Sequence, residues 1–334
     1  MFRIRTVGVT LLAGLMLLMS LGCGDSDNGS SDDRTAQITW LGLTHWLVRF
    51  DDTNLLFDAY LSRPEPGATT STEAGMEMLA RVLQAEGIDS IDYILIGHTH
   101  FDHAIDAGSA ALETGAQVLG SQSTCFLAQA QGLPADRCTV MGTGDEIDIG
   151  SARIRAMRTV HSNTTTIGRF AEYDAVPPEE ESLWLAPNGG PVAFLVLLAD
   201  GGPSIFYQNT LEAIDADDMS GEDYAENLDA VFADLAGVTL WMTPLTFVPG
   251  QAELDAYTTV VQPTFVLPHH WDALVPDLEG GVQEQLLVPA GAQASVDAAG
   301  ATMVAADEYF QRLELTLDSF GPAESSPVQD AFGL

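Results

Sequence analysis

Apolar and polar positions alternate through Gln37-Ile38-Thr39-Trp40-Leu41-Gly42, and two further β-prone runs follow, Trp46 to Phe50 and Thr53 to Phe57, with Asp51-Asp52 at the turn. The period then lengthens. Met76, Leu79, Ala80, Val82 and Leu83 share one helical face over 73–86, Thr70-x-x-Glu73 resembles a capping box ahead of it, and Gly87 stops it. The pattern next predicts a strand over 91–96, a helix over 104–113, a short strand over 117–119 and a helix over 124–131. Hairpins are expected over 145–160 and 192–207, then a helix over 224–235 and a strand over 238–242. A β-rich run from Thr264 ends at Pro268, and closing strands are expected near 301–304 and 312–317. Strands alternating with helices in this way argue for a layered α/β architecture.

The strand over 91–96 empties at Gly97 into His98-Thr99-His100-Phe101-Asp102-His103, four metal-capable side chains within six positions. Other candidates also sit at strand ends: His161, Asn209 in Gln208-Asn209-Thr210, and the pair His269-His270. Imidazole and carboxylate donors without thiolates suit zinc first, with manganese or iron behind it. No Gly-x-Ser-x-Gly elbow and no phosphate-cradling glycine loop accompanies them.

The pattern His-x-His-x-Asp-His resembles the signature of the metallo-β-lactamase superfamily of metallo-hydrolases. The opening strands are similar to those of its lactonase-like and phospholipase-D-like branches, and the resemblance runs from about Ala36 to Leu317. It implies a four-layer αββα sandwich of two mixed β-sheets flanked by helices. It implies His98, His100 and His161 as one metal triad and Asp102, His103 and His270 around a second ion. Spacing favours His270 as ligand and leaves His269 as its neighbour, though the two could exchange roles. Asp58, at the end of the third strand, is expected to orient a ligand imidazole.

Three positions depart from the family pattern. Leu43 stands for the histidine of Trp-x-Gly-His, with His45 two positions on, and Ala59 stands for the proline of Asp-Pro. Asn209 stands where the family has the aspartate of Gly-Asp-Thr that bridges two metals. An amide oxygen can coordinate but brings no charge, so the expectation is one or two divalent ions, the second weakly held, of another kind, or missing. The implied chemistry is attack by metal-activated hydroxide on an ester, lactone, amide or phosphodiester bond of a small-molecule or lipid-like substrate. Asp102 is the candidate for positioning the nucleophile or moving a proton. A reading from a different class is a non-catalytic surface lipoprotein that keeps the fold for binding. Thr164-Thr165-Thr166 are expected at the mouth. Residues 168–191, with Pro177-Pro178, Glu179-Glu180-Glu181 and the aromatics Phe170, Tyr173 and Trp184, read equally as a substrate lid or as a solvated loop.

Composition changes this picture in two ways. The chain of 334 residues carries a formal charge of −36, and all twelve basic residues are arginine, which argues against a nucleic-acid partner. At the N-terminus, Arg3 and Arg5 precede an apolar run from Val7 to Leu21, too short for a comfortable membrane span. Leu18-Met19-Ser20-Leu21-Gly22-Cys23 resembles the lipobox of bacterial lipoproteins. That resemblance implies a signal peptide over 1–22, lipidation of Cys23 and an exported protein whose contact with the cell-envelope membrane is that anchor alone; a plain cleaved signal peptide is the other reading. Residues 23–35 read as a flexible tether, 36–320 as the catalytic domain and 321–334 as a C-terminal tail. In an exported protein Cys125 and Cys138 could form a disulfide, closing a loop that contributes roughly 3 kcal/mol on the chain-entropy model; two buried thiols are the alternative.

Overall fold

The opening alternation becomes a meander. β1 (Ala36–Trp40), β2 (Trp46–Phe50) and β3 (Thr53–Phe57) pair antiparallel in a computed structural model. It describes residues 34–334 apart from 65–66, 68–69, 163–170, 179–182, 184–185, 217–219, 246–249, 276–277, 279 and 285–289. Cys23 and the segment before it lie outside the described residues, as do Thr164 to Thr166, Phe170, Glu179 to Glu181 and Trp184.

α1 (Glu73–Glu86) carries the chain over to β4 (Tyr93–Leu95), parallel to β3. α2 (Phe101–Ala104) and α3 (Ala107–Thr114) lead to β5 (Gln117–Gly120), and α4 (Gln122–Ala130) leads to β6 (Cys138–Val140), both parallel to β4. The second sheet begins with the antiparallel series β7 (Glu146–Asp148), β8 (Ala152–Arg158), β9 (Val192–Leu198) and β10 (Ser204–Tyr207). α5 (Tyr224–Phe232), β11 (Val238–Thr243), α6 (Gln251–Val261), β12 (Pro263–Pro268), α7 (Ala290–Ala298) and β13 (Thr302–Met303) extend it with parallel strands. β14 (Arg312–Leu315) returns to β1, followed by β15 (Phe320–Pro322) and α8 (Pro327–Phe332). Among the described residues the strands form two sheets, β15-β14-β1-β2-β3-β4-β5-β6 and β13-β12-β11-β10-β9-β8-β7. Each is antiparallel in one half and parallel in the other, the expected pair of mixed sheets.

Side-chain alternation shows the layers. Ile205, Tyr207, Leu240 and Met242 join the core between the sheets, while Phe206 and Trp241 point the other way into a second core beneath α5, α6 and α7. Burying each such side chain contributes roughly 1.5–3 kcal/mol. β9 reads Val-Ala-Phe-Leu-Val-Leu-Leu because both its faces are covered.

The cap of α1 sits two residues later than the capping-box reading. Thr72 is the N-cap, accepting from Gly75 N–H, while its own N–H donates to Ser62 Oγ at 2.7 Å. At the other end Glu86, buried, takes Arg49 at 2.7 Å and Arg312, and accepts from Thr39 at 3.1 Å, so α1 is fastened to β1, β2 and β14. The tail carries structure of its own: α8 lies against α1, with the Arg81 guanidinium 3.7 Å over the Phe332 ring. Cys125 on α4 and Cys138 on β6 are disulfide-bonded.

Candidate metal centre

Every candidate ligand hangs from the C-terminal end of a strand, at the common edge where ligands bind in open α/β sheets. β3 delivers Asp58 and β4 delivers residues 98–103; from the other sheet β8 delivers His161, β10 Asn209 and β12 His269 and His270. Gly97 is the pivot of the metal loop. A Cβ there would lie 2.3 Å from the Asn209 side-chain amide, so only glycine lets the two approach. His100 is the N-cap of α2, whose single turn folds Asp102 and His103 back toward it.

Two triads result, His98–His100–His161 and Asp102–His103–His270, the ligand atoms within each lying within 4.8 Å of one another. His98 Nε2 is 3.2 Å from both His100 Nδ1 and His161 Nε2. In the second triad Asp102 Oδ2 stands 3.5 Å from His103 Nε2 and 3.3 Å from His270 Nε2. The triads adjoin, the His98 and His103 rings being 3.9 Å apart between centroids.

The outward nitrogens fix the tautomers. His98 Nδ1 faces Asn209 Oδ1 at 3.0 Å, His161 Nδ1 faces the Ser162 carbonyl at 2.7 Å, and His103 Nδ1 faces Asp58 Oδ2 at 2.7 Å. Each of these nitrogens therefore donates, which leaves the inward Nε2 of the neutral His98 and His161 as a lone pair. Lone pairs of His98 and His161 facing each other at 3.2 Å repel unless a cation lies between them. The donor set thus fits a divalent metal.

The electrostatics agree. Burial pushes His98 far below its ordinary value, with His103, His161 and His100 adding to the effect. Burial likewise takes His161 down to about 3 and His100 to about 4, so all three stay neutral and able to coordinate at neutral pH. Burial opposes charge on His103 too, but the Asp102 and Asp58 carboxylates outweigh it and raise that group. Burial would raise Asp102; the charge of His103 and the hydrogen bond and charge of His270 hold it below the usual carboxylate range instead.

Asp58 is fully buried and anchors the centre from behind. It accepts from Thr44 Oγ1 (2.6 Å), Tyr207 OH (2.6 Å), Gly97 N (2.9 Å) and the Asn209 amide nitrogen (3.0 and 2.7 Å) in addition to His103. Thr44 and Tyr207 escaped the sequence reading. The one signal was a tyrosine closing an apolar strand, where a buried hydroxyl needs a partner.

The Asn209 side chain sits against the outward nitrogen of one imidazole from each triad, Oδ1 3.0 Å from His98 Nδ1 and Nδ2 3.1 Å from His103 Nδ1, with Nδ2 also donating to Asp58 at 2.7 Å. His269 belongs to neither triad; it is buried, with its ring stacked on Tyr207 at 5.7 Å. His45 is also outside both triads; its Nδ1 accepts from Tyr60 N at 3.4 Å, and burial takes it down to about 3. At the substituted family position, Leu43 serves through its backbone. Its N–H is gripped by both oxygens of Asp272 (3.0 and 3.1 Å) and its carbonyl takes the His270 N–H at 3.4 Å. That contact braces His270, whose φ of 62° is left-handed. The described end of the 168–191 insertion also reaches the metal loop. Thr99 donates its N–H to the Asn188 carbonyl (3.0 Å) and its hydroxyl to the Pro187 carbonyl (2.5 Å).

Known proteins share this arrangement of fold and sequence. The β-lactamase superfamily domain matches residues 37–270. A UPF0173 metal-dependent hydrolase from Anaeromyxobacter sp. (strain K) is 29% identical over 175 residues, covering 51% of this chain and 54% of the relative. The chain thus spans about half the length of that curated relative. A UPF0173 metal-dependent hydrolase from Methanopyrus kandleri is 23% identical over 240 residues, 72% of this chain and 86% of the relative. Among solved structures, Igni18, a metallo hydrolase from the archaeon Ignicoccus hospitalis, superposes with a TM-score of 0.54 at 14% identity, covering 84% of this chain and 98% of that one. At that identity the likeness is one of fold.

Proposed function

This chain belongs to the β-lactamase superfamily domain family, matched over residues 37–270, and from that premise we propose that it is a metal-dependent hydrolase. The observation that carries the reading is the convergence of His98, His100 and His161 nitrogens, with Asp102, His103 and His270 alongside. We assign His98, His100 and His161 to one ion and Asp102, His103 and His270 to a second, zinc being the first choice for such donors. Held there, a divalent ion would lower the pKa of water towards ~7 and polarise the oxygen of the bond attacked. The chain's own residues do the rest. Three neutral imidazoles keep the first site open on one side. Asp102 supplies the one negative charge among the six ligands, its Oδ2 facing His103 Nε2 and His270 Nε2. Asp58 and the Ser162 carbonyl keep the imidazoles aimed. The substrate class we propose is a small or lipid-like molecule with an ester, lactone, amide or phosphodiester bond.

Elemental analysis of protein purified without added metal should find one to two equivalents. Chelation should abolish turnover of an ester, lactone and phosphodiester panel, and zinc should restore it. Full activity in metal-stripped protein would refute the reading. For the N-terminus we propose export and lipidation at Cys23. The mature chain should then partition into detergent, and Cys23→Ala should abolish that partitioning.

A further inference from the structure

The Asp58–Asn209–His98 chain carries an inference that rests on the metal reading and goes beyond it. We propose that Asn209 is a positioning residue, an amide spacer through which the single buried carboxylate of Asp58 orients an imidazole in each triad. Asp58 reaches His103, in the second triad, directly at 2.7 Å. It reaches His98, in the first triad, through the amide: Asn209 Nδ2 donates to Asp58 at 2.7 Å, and Asn209 Oδ1 accepts from His98 Nδ1 at 3.0 Å. The polarity of this relay is set by chemistry. An ionised carboxylate only accepts, so the NH2 end of the amide must face Asp58 and the oxygen is left for the imidazole.

An amide suits this position better than a carboxylate does. Aspartate at 209 would have no proton to give Asp58, and two buried carboxylates would stand about 3 Å apart, an arrangement in which like charges disfavour each other. The spacer also makes the triads unequal. His103 is backed by a carboxylate and His98 by a neutral amide, so His103 is the more basic donor. The departure from Gly-Asp-Thr is thus a change in how the ligands are held, with Gly97 leaving the room the amide occupies.

The test begins on wild-type protein stripped of metal and labelled with 15N-histidine. The relay requires His98 as the Nδ1–H tautomer; finding the proton on Nε2 overturns the proposal without any variant. Asn209→Ala should release His98 to a mixture of tautomers while His161, held by the Ser162 carbonyl, keeps its own. Its zinc affinity should fall roughly 10- to 100-fold, the usual cost of losing such a partner. Asn209→Asp should not bind more metal than wild type. A variant aspartate that binds a second equivalent more tightly than wild type, or an Asn209→Ala protein with His98 unchanged and zinc affinity within about twofold, would show the residue to be a ligand or a bystander. The metal reading fails separately: wild-type protein that binds neither zinc nor cobalt, yet keeps His98 as Nδ1–H, would refute the hydrolase while leaving the relay supported.

Discussion

Tyr207 shows how much of the centre depends on groups that touch no ligand position. Its hydroxyl donates to Asp58 Oδ2 at 2.6 Å from a fully buried site. Tyr207→Phe removes a hydrogen bond to a charged acceptor and should cost about 2 kcal/mol, measured by urea unfolding of metal-free protein. Asp106 makes the opposite case. Burial raises its carboxyl to about 6, although Leu61 and Ser62 N–H groups donate to Oδ2 at 2.6 and 2.7 Å, and Oδ1 has no hydrogen-bond partner among the described residues. The folded value lies above the unfolded one near 3.8, so the folded chain holds the proton longer. Stability is then unaffected by this group below about pH 4 and falls as pH rises towards 6. Asp106→Asn keeps one acceptor oxygen, so it should stabilise the protein by up to about 3 kcal/mol at pH 8 and by nothing at pH 3.5. Equal gains at both pH values would sink that assignment. The ligands His98 to His103 were legible because they are neighbours in sequence. Asp58 behind a ligand imidazole was legible too, but its hydroxyl partners were not: Tyr207 lies 149 positions away and only the folded chain brings the two together.

Among the elements, the end of the insertion is the clearest lever on the site. Gly189 has φ +72°, and a Cβ there would meet Thr99 Oγ1 at 2.1 Å. Gly189→Ala should therefore push the Pro187–Asn188 segment off the metal loop, lowering metal affinity more than global stability. Elemental content after dialysis, compared with the melting temperature, separates the two effects. The strands and α1 were readable because their apolar spacing is regular. α6 and α7 were not read as helices. α7 is mostly alanine and small polar residues, and α6, although Leu254, Tyr257 and Val261 share a face, follows Gly250 with no side-chain cap and so lacks a start signal. β6 escaped for another reason: it is three residues long and mostly exposed, and it is held by the bond from Cys138 to α4 as well as by pairing with β5.

At the scale of the whole molecule the net charge of −36 works against compactness, since like charges repel across the surface. Raising salt from 20 mM to 0.5 M should raise the unfolding midpoint, because the Debye length shrinks from about 20 Å to roughly 4 Å; a midpoint that fell would mean surface ion pairs dominate instead. Class and layering were legible from the rhythm of strands and helices, whereas the meeting of two strand edges on one line was not, since nothing local records how sheets face each other. His98, His100, Asp102 and His103 ride on one sheet, and His161 and His270 on its counterpart. A cation gripped by both would act as a rivet across the seam. Neither half alone completes either triad, so the ion would favour the assembled sandwich and resist its parting by RT ln(1 + [L]/Kd). A hydrolase of this build would be hardest to pull apart when it is ready to work, and scarcity of metal in its surroundings would register as fragility as well as idleness.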